Sequence, residues 1–269
     1  MIRWLRRIAL AVAAVYLLAL GALYAAQDAL VFPGWAGPSP DTVAAVPDMA
    51  EIVVPGPDGT TLRGWYRPAD PGHLTMIVFH GNAGFQWGKL PPLAARGYGL
   101  LLVTYRGFAG VPGAPSEANL LADGRAALAH AAALGVAPED TVLYGESLGT
   151  GVAARMALEP GRWRALVLDA PYTSIPDRAT EMYPIFPVRA LIRTQFDTLS
   201  IIDRVDTPLL IFHGTDDFVI PDTHGRALLA AAAAPKHGIW IEGGTHFLPP
   251  GPIVEGIEAF LTREGAQSP

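Results

Sequence analysis

The chain has 269 residues, no cysteine, a formal net charge of −6 and a hydrophobic fraction of 51%. The missing cysteines exclude disulfides, thiolate-held metals and thiol catalysis, and the acidic balance, with no basic stripe past the N-terminus, argues against a nucleic-acid partner. This length suits one sizeable α/β domain with a short appendage.

The mean hydropathy of +0.29 is high for a soluble domain, and the excess lies at the start of the chain. Ile8 through Ala26 carries no charge, and a helix of that length spans a hydrocarbon core. Arg3, Arg6 and Arg7 precede it, and the next Lys or Arg is Arg63. The positive-inside bias then puts the N-terminus in the cytoplasm and everything after Gln27 across the membrane. A cleaved signal peptide competes with this reading. Its small-x-small site is poor, because Leu23 or Tyr24 falls at the −3 position, and the apolar run exceeds a usual h-region. Residues 1–26 are therefore expected to be a cytoplasmic stub and a single-pass signal anchor.

Residues 27–50 are rich in Pro, Gly and Ala and read as a linker packed on the domain, which spans 51–264. Strand signals then alternate with helix signals. The strands expected are Glu51–Val54, Thr61–Arg67, Thr75–His80, Leu100–Tyr105, Thr141–Tyr144, Ala165–Asp169, Leu209–His213 and Ile239–Glu242. The first two are joined antiparallel through Pro57-Asp58-Gly59, and the later ones are short apolar runs of the kind buried in a parallel sheet. Ser116 is placed to cap a helix reaching Leu134, with Gly135 as terminator, and a second helix follows over Leu148–Glu159. Asp222 is placed to cap a helix to Ala234, and Pro252 to open the last one. Between them, 172–202 breaks the alternation with Pro176, Pro184, Pro187 and scattered aromatics, either as a small cap over an active site or as a plain surface crossover. Residues 265–269 read as a disordered tail. The pattern is a doubly wound α/β fold with a mostly parallel sheet of about eight strands.

Chemistry concentrates at Gly145-Glu146-Ser147-Leu148-Gly149. A serine on a sharp strand-to-helix turn projects its hydroxyl above the sheet, and the helix start supplies N–H groups where an oxyanion would form. Ser147 then needs a base, and the base an orienting acid, each in a loop after a later strand. Of the seven histidines, His73, His80 and His130 precede the serine, His213 ends a strand, His224 falls in a helix and His237 precedes the last strand. His246, in Gly243-Gly244-Thr245-His246, is the candidate base. For the acid, Asp217 is favoured over its neighbour Asp216 by its spacing to Pro221, with Asp169 a weaker alternate. The second oxyanion donor is assigned to the Asn82 amide, with Ala83 as alternate, beside that of Leu148; both lie in or next to turns whose glycines allow close approach.

With these residues assembled, the chain resembles the α/β-hydrolase fold enzymes, closest to the membrane-anchored abhydrolase-domain proteins, which include esterase-, lipase-, thioesterase- and serine-aminopeptidase-like members. The resemblance runs from about Gln27 to Phe260. It is carried by Phe32-Pro33-Gly34, His80-Gly81-Asn82-Ala83-Gly84, Tyr105-Arg106-Gly107-Phe108, Pro115-Ser116-Glu117, the serine pentapeptide, Pro171-Tyr172-Thr173-Ser174, His213-Gly214 with Asp217 and Pro221, and Gly243-Gly244-Thr245-His246. Phe85, Ala109-Gly110-Val111-Pro112-Gly113 and Phe247 depart from the family pattern toward apolar residues. The resemblance implies a triad of Ser147, His246 and Asp217, with the Leu148 and Asn82 amides as oxyanion hole. It implies no metal or cofactor, and a small-molecule or lipid-like acyl substrate. The expected function is a membrane-anchored serine hydrolase of esters or thioesters. A peptidase of short peptides is the alternative, and a non-catalytic tethered binding module the remaining one.

Overall fold

The structure, a computed structural model, describes residues 1–267. Helix α1 (Ile2–Val31) takes in the whole apolar run and continues past it. Pro33 stops it: a residue before proline is pushed out of the helical region, and Phe32 sits at φ −123°, ψ 66°. The segment read as linker from residue 27 thus begins as helix and turns irregular only at Phe32. A short α2 (Pro40–Ala44) follows, capped by Ser39, whose hydroxyl accepts from the Thr42 amide.

Eight strands form one sheet: β1 (Ala50–Pro55), β2 (Thr61–Arg67), β3 (Thr75–Phe79), β4 (Gly99–Val103), β5 (Thr141–Glu146), β6 (Ala165–Asp169), β7 (Leu209–Gly214) and β8 (Lys236–Ile241). Their spatial order is β1-β2-β4-β3-β5-β6-β7-β8. The pairs β1–β2 and β2–β4 are antiparallel, and all others are parallel. The Pro57–Gly59 turn makes the first hairpin, with Asp58 at φ 57°. The last strand starts three residues before the expected Ile239, at Lys236. As an edge strand it is only half buried, so its limits are set by pairing along Leu209–Gly214 and not by its apolar run.

Helices cover both faces because the central strands are apolar on both. Leu143, Ile77 and Phe79 point into the layer under α4 (Glu117–Ala133), α5 (Leu148–Met156) and α8 (Asp222–Ala231), with Leu120, Val152 and Leu228 in the same core. Val142, Tyr144, Met76 and Val78 point the other way, against α3 (Leu90–Ala94) and α9 (Pro250–Gln267), whose Leu90, Leu93, Ile253, Ile257 and Phe260 fill that side. At about 25 cal/mol per Å² of buried apolar surface, these two layers dominate the stability of the fold.

The crossover 172–202 carries α6 (Ile175–Met182) and α7 (Val188–Leu191). Ser116 caps α4 as expected, its hydroxyl accepting from the Asn119 amide. Asp222 does not cap α8. The backbone is already extended at Pro221, so Asp222 becomes the first helical residue and its carboxylate pairs with Arg226 at 2.8 Å. The last helix opens at Pro250, not Pro252, and is described through Gln267. Of the tail expected at 265–269, residues 268 and 269 lie outside the described residues.

Candidate active site

The strand order reverses direction at β3. The chain leaves β3 for β4 on one side and returns to β5 on the other, so the loops after β3 and β5 part over the same sheet edge. Such a switch point opens a crevice at the carboxyl ends of parallel strands. Ser147 stands there, directly after β5, at φ 51° and ψ −119°. That backbone is strained for a residue with a Cβ, and it lifts the side chain off the sheet before α5 begins. Gly149 is required by close approach, since a Cβ there would lie 1.9 Å from the Phe79 carbonyl oxygen.

The expected acid and base arrive from the next two strands. Asp217 follows β7 and His246 follows β8. Their loops touch where a Cβ on Gly214 would stand 2.1 Å from the Gly244 carbonyl oxygen. Backbone bonds lock the contact, from the Asp216 amide to the Gly244 carbonyl at 2.9 Å and from the Thr215 amide to the Ile241 carbonyl at 3.0 Å. His246 Nδ1 lies 2.8 Å from Asp217 Oδ2, and Nε2 lies 3.0 Å from Ser147 Oγ. The side facing the carboxylate carries the proton, which leaves Nε2 free to accept from the serine.

The two adjacent aspartates differ in burial and bonding. Asp216 is exposed and Asp217 buried. Asp217 Oδ1 accepts from the Val219 and Ile220 amides, both at 2.8 Å, which fixes the carboxylate plane. Burial pushes this carboxyl up, but the nearby His213 ring and the hydrogen bonds from His246 and the Ile220 amide outweigh it and hold it well below the usual range. His213 itself donates from Nε2 to the Ile220 carbonyl at 2.8 Å and buttresses the acid loop.

The loop after β3 closes on itself through reciprocal Gly81–Gly84 backbone bonds, so the Asn82 and Ala83 amides lie outside that ladder. It abuts the serine, since a Cβ on Gly81 would be 3.3 Å from Ser147 Cβ. His80 anchors it from below, donating from Nδ1 to the Gly81 carbonyl at 2.7 Å and accepting the Tyr105 amide at 3.4 Å. Burial lowers the His80 pKa to about 4, so the ring is neutral and serves as a scaffold. His224 is also structural, with Nδ1 2.8 Å from Thr173 Oγ1.

Sequence reasoning missed a buried ionic cluster under the serine. Lys89, fully buried, donates to Glu146 at 2.8 Å and to Asp169, which also accepts from the Tyr144 hydroxyl. Glu146 immediately precedes Ser147, and the Ser147 amide donates to the Asp169 carbonyl at 2.9 Å. Asp169, the weaker candidate acid, is thus committed below the sheet edge. Burial and the Asp169 charge push the Glu146 carboxyl up to about 7 although Lys89 opposes them. The two carboxylates outweigh burial at Lys89 and raise its pKa. The one available signal was the scarcity of lysine, with only Lys89 and Lys236 in the chain, and that says nothing about partners.

The three apolar departures separate in space. Phe85 is buried edge-on against Tyr144 at 5.7 Å and belongs to the core, as do Ala109 and Val111. Phe247 is 65% exposed next to His246, and Phe218 is 84% exposed next to Asp217. Arg178 of α6 donates to the Phe218 and Val219 carbonyls, so the crossover braces the acid loop. Among the described residues, no group of three or more His, Cys, Asp or Glu is placed to hold a metal ion.

No family model matches the chain. The Mycobacterium tuberculosis protein Rv2307c is 35% identical over 265 residues, covering 94% of this chain and 94% of that protein. Human alpha/beta hydrolase domain-containing protein 17B is 31% identical over 206 residues, 71% of this chain and 67% of its own. The Pyrococcus furiosus esterase Pf2001 superposes with a TM-score of 0.66 at 18% identity, over 84% of this chain and 94% of the esterase. That last likeness is one of fold alone.

Proposed function

The chain belongs to the α/β-hydrolase family, and on that premise we propose that it is a membrane-anchored serine hydrolase of acyl esters or thioesters. The observation that carries this reading is the imidazole of His246 bridging Asp217 at 2.8 Å and Ser147 at 3.0 Å. Ser147 Oγ attacks the acyl carbon while His246 Nε2 takes its proton. Asp217 holds the ring and stabilises the imidazolium that forms. The tetrahedral oxyanion is met by the Leu148 amide at the start of α5 and by the Asn82 amide of the loop after β3, with Ala83 as the alternate donor. His246 then returns the proton to the leaving group, and water activated by the same ring hydrolyses the acyl-enzyme.

An acyl substrate is favoured over a peptide by the rim of the site, where Phe218 and Phe247 stand exposed beside the acid and the base. An uncompensated apolar rim of this kind suits a hydrocarbon chain. A binding module that had lost catalysis would have no need for a strained serine aligned with a buried acid–base pair. For location, α1 has a mean hydropathy of 2.3 over its most apolar window, none of it buried against the protein. With arginines before it and none until Arg63, we place the N-terminus in the cytoplasm and the domain outside.

The test is fluorophosphonate labelling of the full chain beside Ser147→Ala. Labelling of the wild type and none of the variant is expected; equal labelling removes Ser147 as nucleophile. A panel of acyl esters of rising chain length, run beside aminoacyl and peptidyl amides, separates esterase from peptidase.

A further inference from the structure

Helix α1 is tied along its second half to the crossover between β6 and β7. At the upper end, buried Gln27 donates to the Leu191 carbonyl at 3.4 Å and accepts the Arg193 amide at 2.8 Å, and Asp28 pairs with Arg193 at 2.7 Å. At the lower end, the Tyr16 hydroxyl donates to the Ile185 carbonyl at 3.0 Å, and its ring stacks on Phe186 with centroids 5.3 Å apart. Between the two ties lies an apolar cleft lined by residues of both segments, Leu20, Leu23, Val188 and Leu191 among them.

The charges bracketing α1 fix its depth in a bilayer. The run from Ile8 to Ala26, between Arg7 and Asp28, measures about 28 Å as a helix, against a hydrocarbon core of about 30 Å. Tyr16 is about 12 Å along from Ile8 and about 15 Å short of Ala26, so it stands near the mid-plane. A segment bonded to Tyr16 cannot rest on the headgroups. Sliding α1 outward until it did would draw Arg6 and Arg7 into hydrocarbon, where charge is strongly disfavoured.

We propose that the tip of the crossover around Ile185 is immersed in the half of the bilayer nearer the domain, alongside α1, so that lipid hydrocarbon is its partner surface. This rests on reading α1 as a membrane span. The chemistry of the tip fits. Tyr183-Pro184-Ile185-Phe186-Pro187-Val188 is uncharged, and Met182 and Ile185 are 54% and 71% exposed. Hydrocarbon demands that backbone groups be satisfied within the protein. Pro184 and Pro187 have no N–H to satisfy, and the Phe186 and Val188 amides donate to the Tyr183 and Phe186 carbonyls at 3.1 and 2.8 Å, which leaves the Ile185 amide as the one N–H of this stretch with no acceptor among the described residues. The Ile185 carbonyl is taken by Tyr16, which explains a hydroxyl in the middle of an apolar span. Arg189 pairs with Asp177, and its stem is long enough to keep the charge at the interface.

The absence of native cysteine allows a direct test. Single cysteines replace Val12, Met182, Ile185 or Leu134 in the full chain, each carrying a nitroxide, in phosphatidylcholine–phosphatidylglycerol vesicles. Leu134, exposed at the end of α4, is the aqueous reference. Collision with oxygen is compared with collision with a water-soluble nickel chelate, and thermal melts confirm that each variant folds. The oxygen-to-nickel ratio is expected to be several-fold above that of Leu134 at Val12, Met182 and Ile185 alike. A lipid signature at Val12 with aqueous signatures at both tip positions overturns the immersion and leaves the anchor standing. An aqueous signature at Val12 as well overturns both.

Discussion

Asp217 is held by two backbone amides and a histidine, and Asp216 beside it by none of these, so the two carboxylates divide into oriented and solvated. Replacing Asp217 with Asn presents an amide where the Nδ1 proton must be accepted, which favours the wrong tautomer of His246. We expect kcat to fall by about 10⁴ with KM little changed, measured by steady-state ester hydrolysis. The same aspartate carries a linkage. Its depressed folded pKa stabilises the protein above the ordinary carboxylate range, and this is lost as pH falls through the lower folded value. Glu146 runs the opposite way. Its carboxyl binds a proton on folding between the ordinary 4.5 and about 7, so its contribution to stability falls as pH rises across that window. In Glu146→Gln this slope is expected to disappear, read as urea midpoints at pH 5 and pH 7.5; an unchanged difference would remove Glu146 as its source.

Lys89 joins three elements at once. It lies on the turn into α3 and binds the ends of β5 and β6, so the two strands carrying Glu146 and Asp169 are clamped from the α3 side. Removing the cation leaves two buried carboxylates uncompensated, the case in which a buried pair matters most. Lys89→Met is expected to destabilise by about 3–5 kcal/mol in denaturant titration. Adding Glu146→Gln and Asp169→Asn to the same chain should recover much of that loss, because apolar or neutral replacement of a whole buried cluster is well tolerated. Recovery in the triple variant also separates a charge effect from a packing defect at position 89.

Across the whole molecule, the sheet and α1 meet through the crossover, so α1, crossover and the loop after β7 are mechanically continuous. Gln27 and Asp28 hold Arg193 of the crossover, and Arg178 of α6 holds the loop that carries Asp217. If α1 is the span proposed, the full chain is expected to remain in the membrane pellet after an alkaline carbonate wash. Protease added to spheroplasts, from which any outer barrier has been removed, should reach the domain. Release into the wash would sink the anchor, and protection of the domain would reverse its orientation.

Alternation of apolar runs with capped helices determined the doubly wound class from the sequence by itself, because burial on both faces leaves no polar alternation in the central strands. The strained elbow, too, was legible in Gly145 to Gly149, since only glycine survives a 1.9 Å approach to Phe79. Spacing favoured Asp217 over Asp216 and the weaker alternate Asp169, and the fold of the loop after β7 turns Asp217, not its neighbour, toward His246. Lys89 lies far along the chain from both Glu146 and Asp169, so nothing local marked the three as partners. The tie between Tyr16 and Ile185 is of the same kind, a contact across 169 positions of sequence separation. Local rules govern what short segments do with their own backbone; which charges neutralise each other, and how deep a tip reaches along a helix, is decided only when distant segments are packed together.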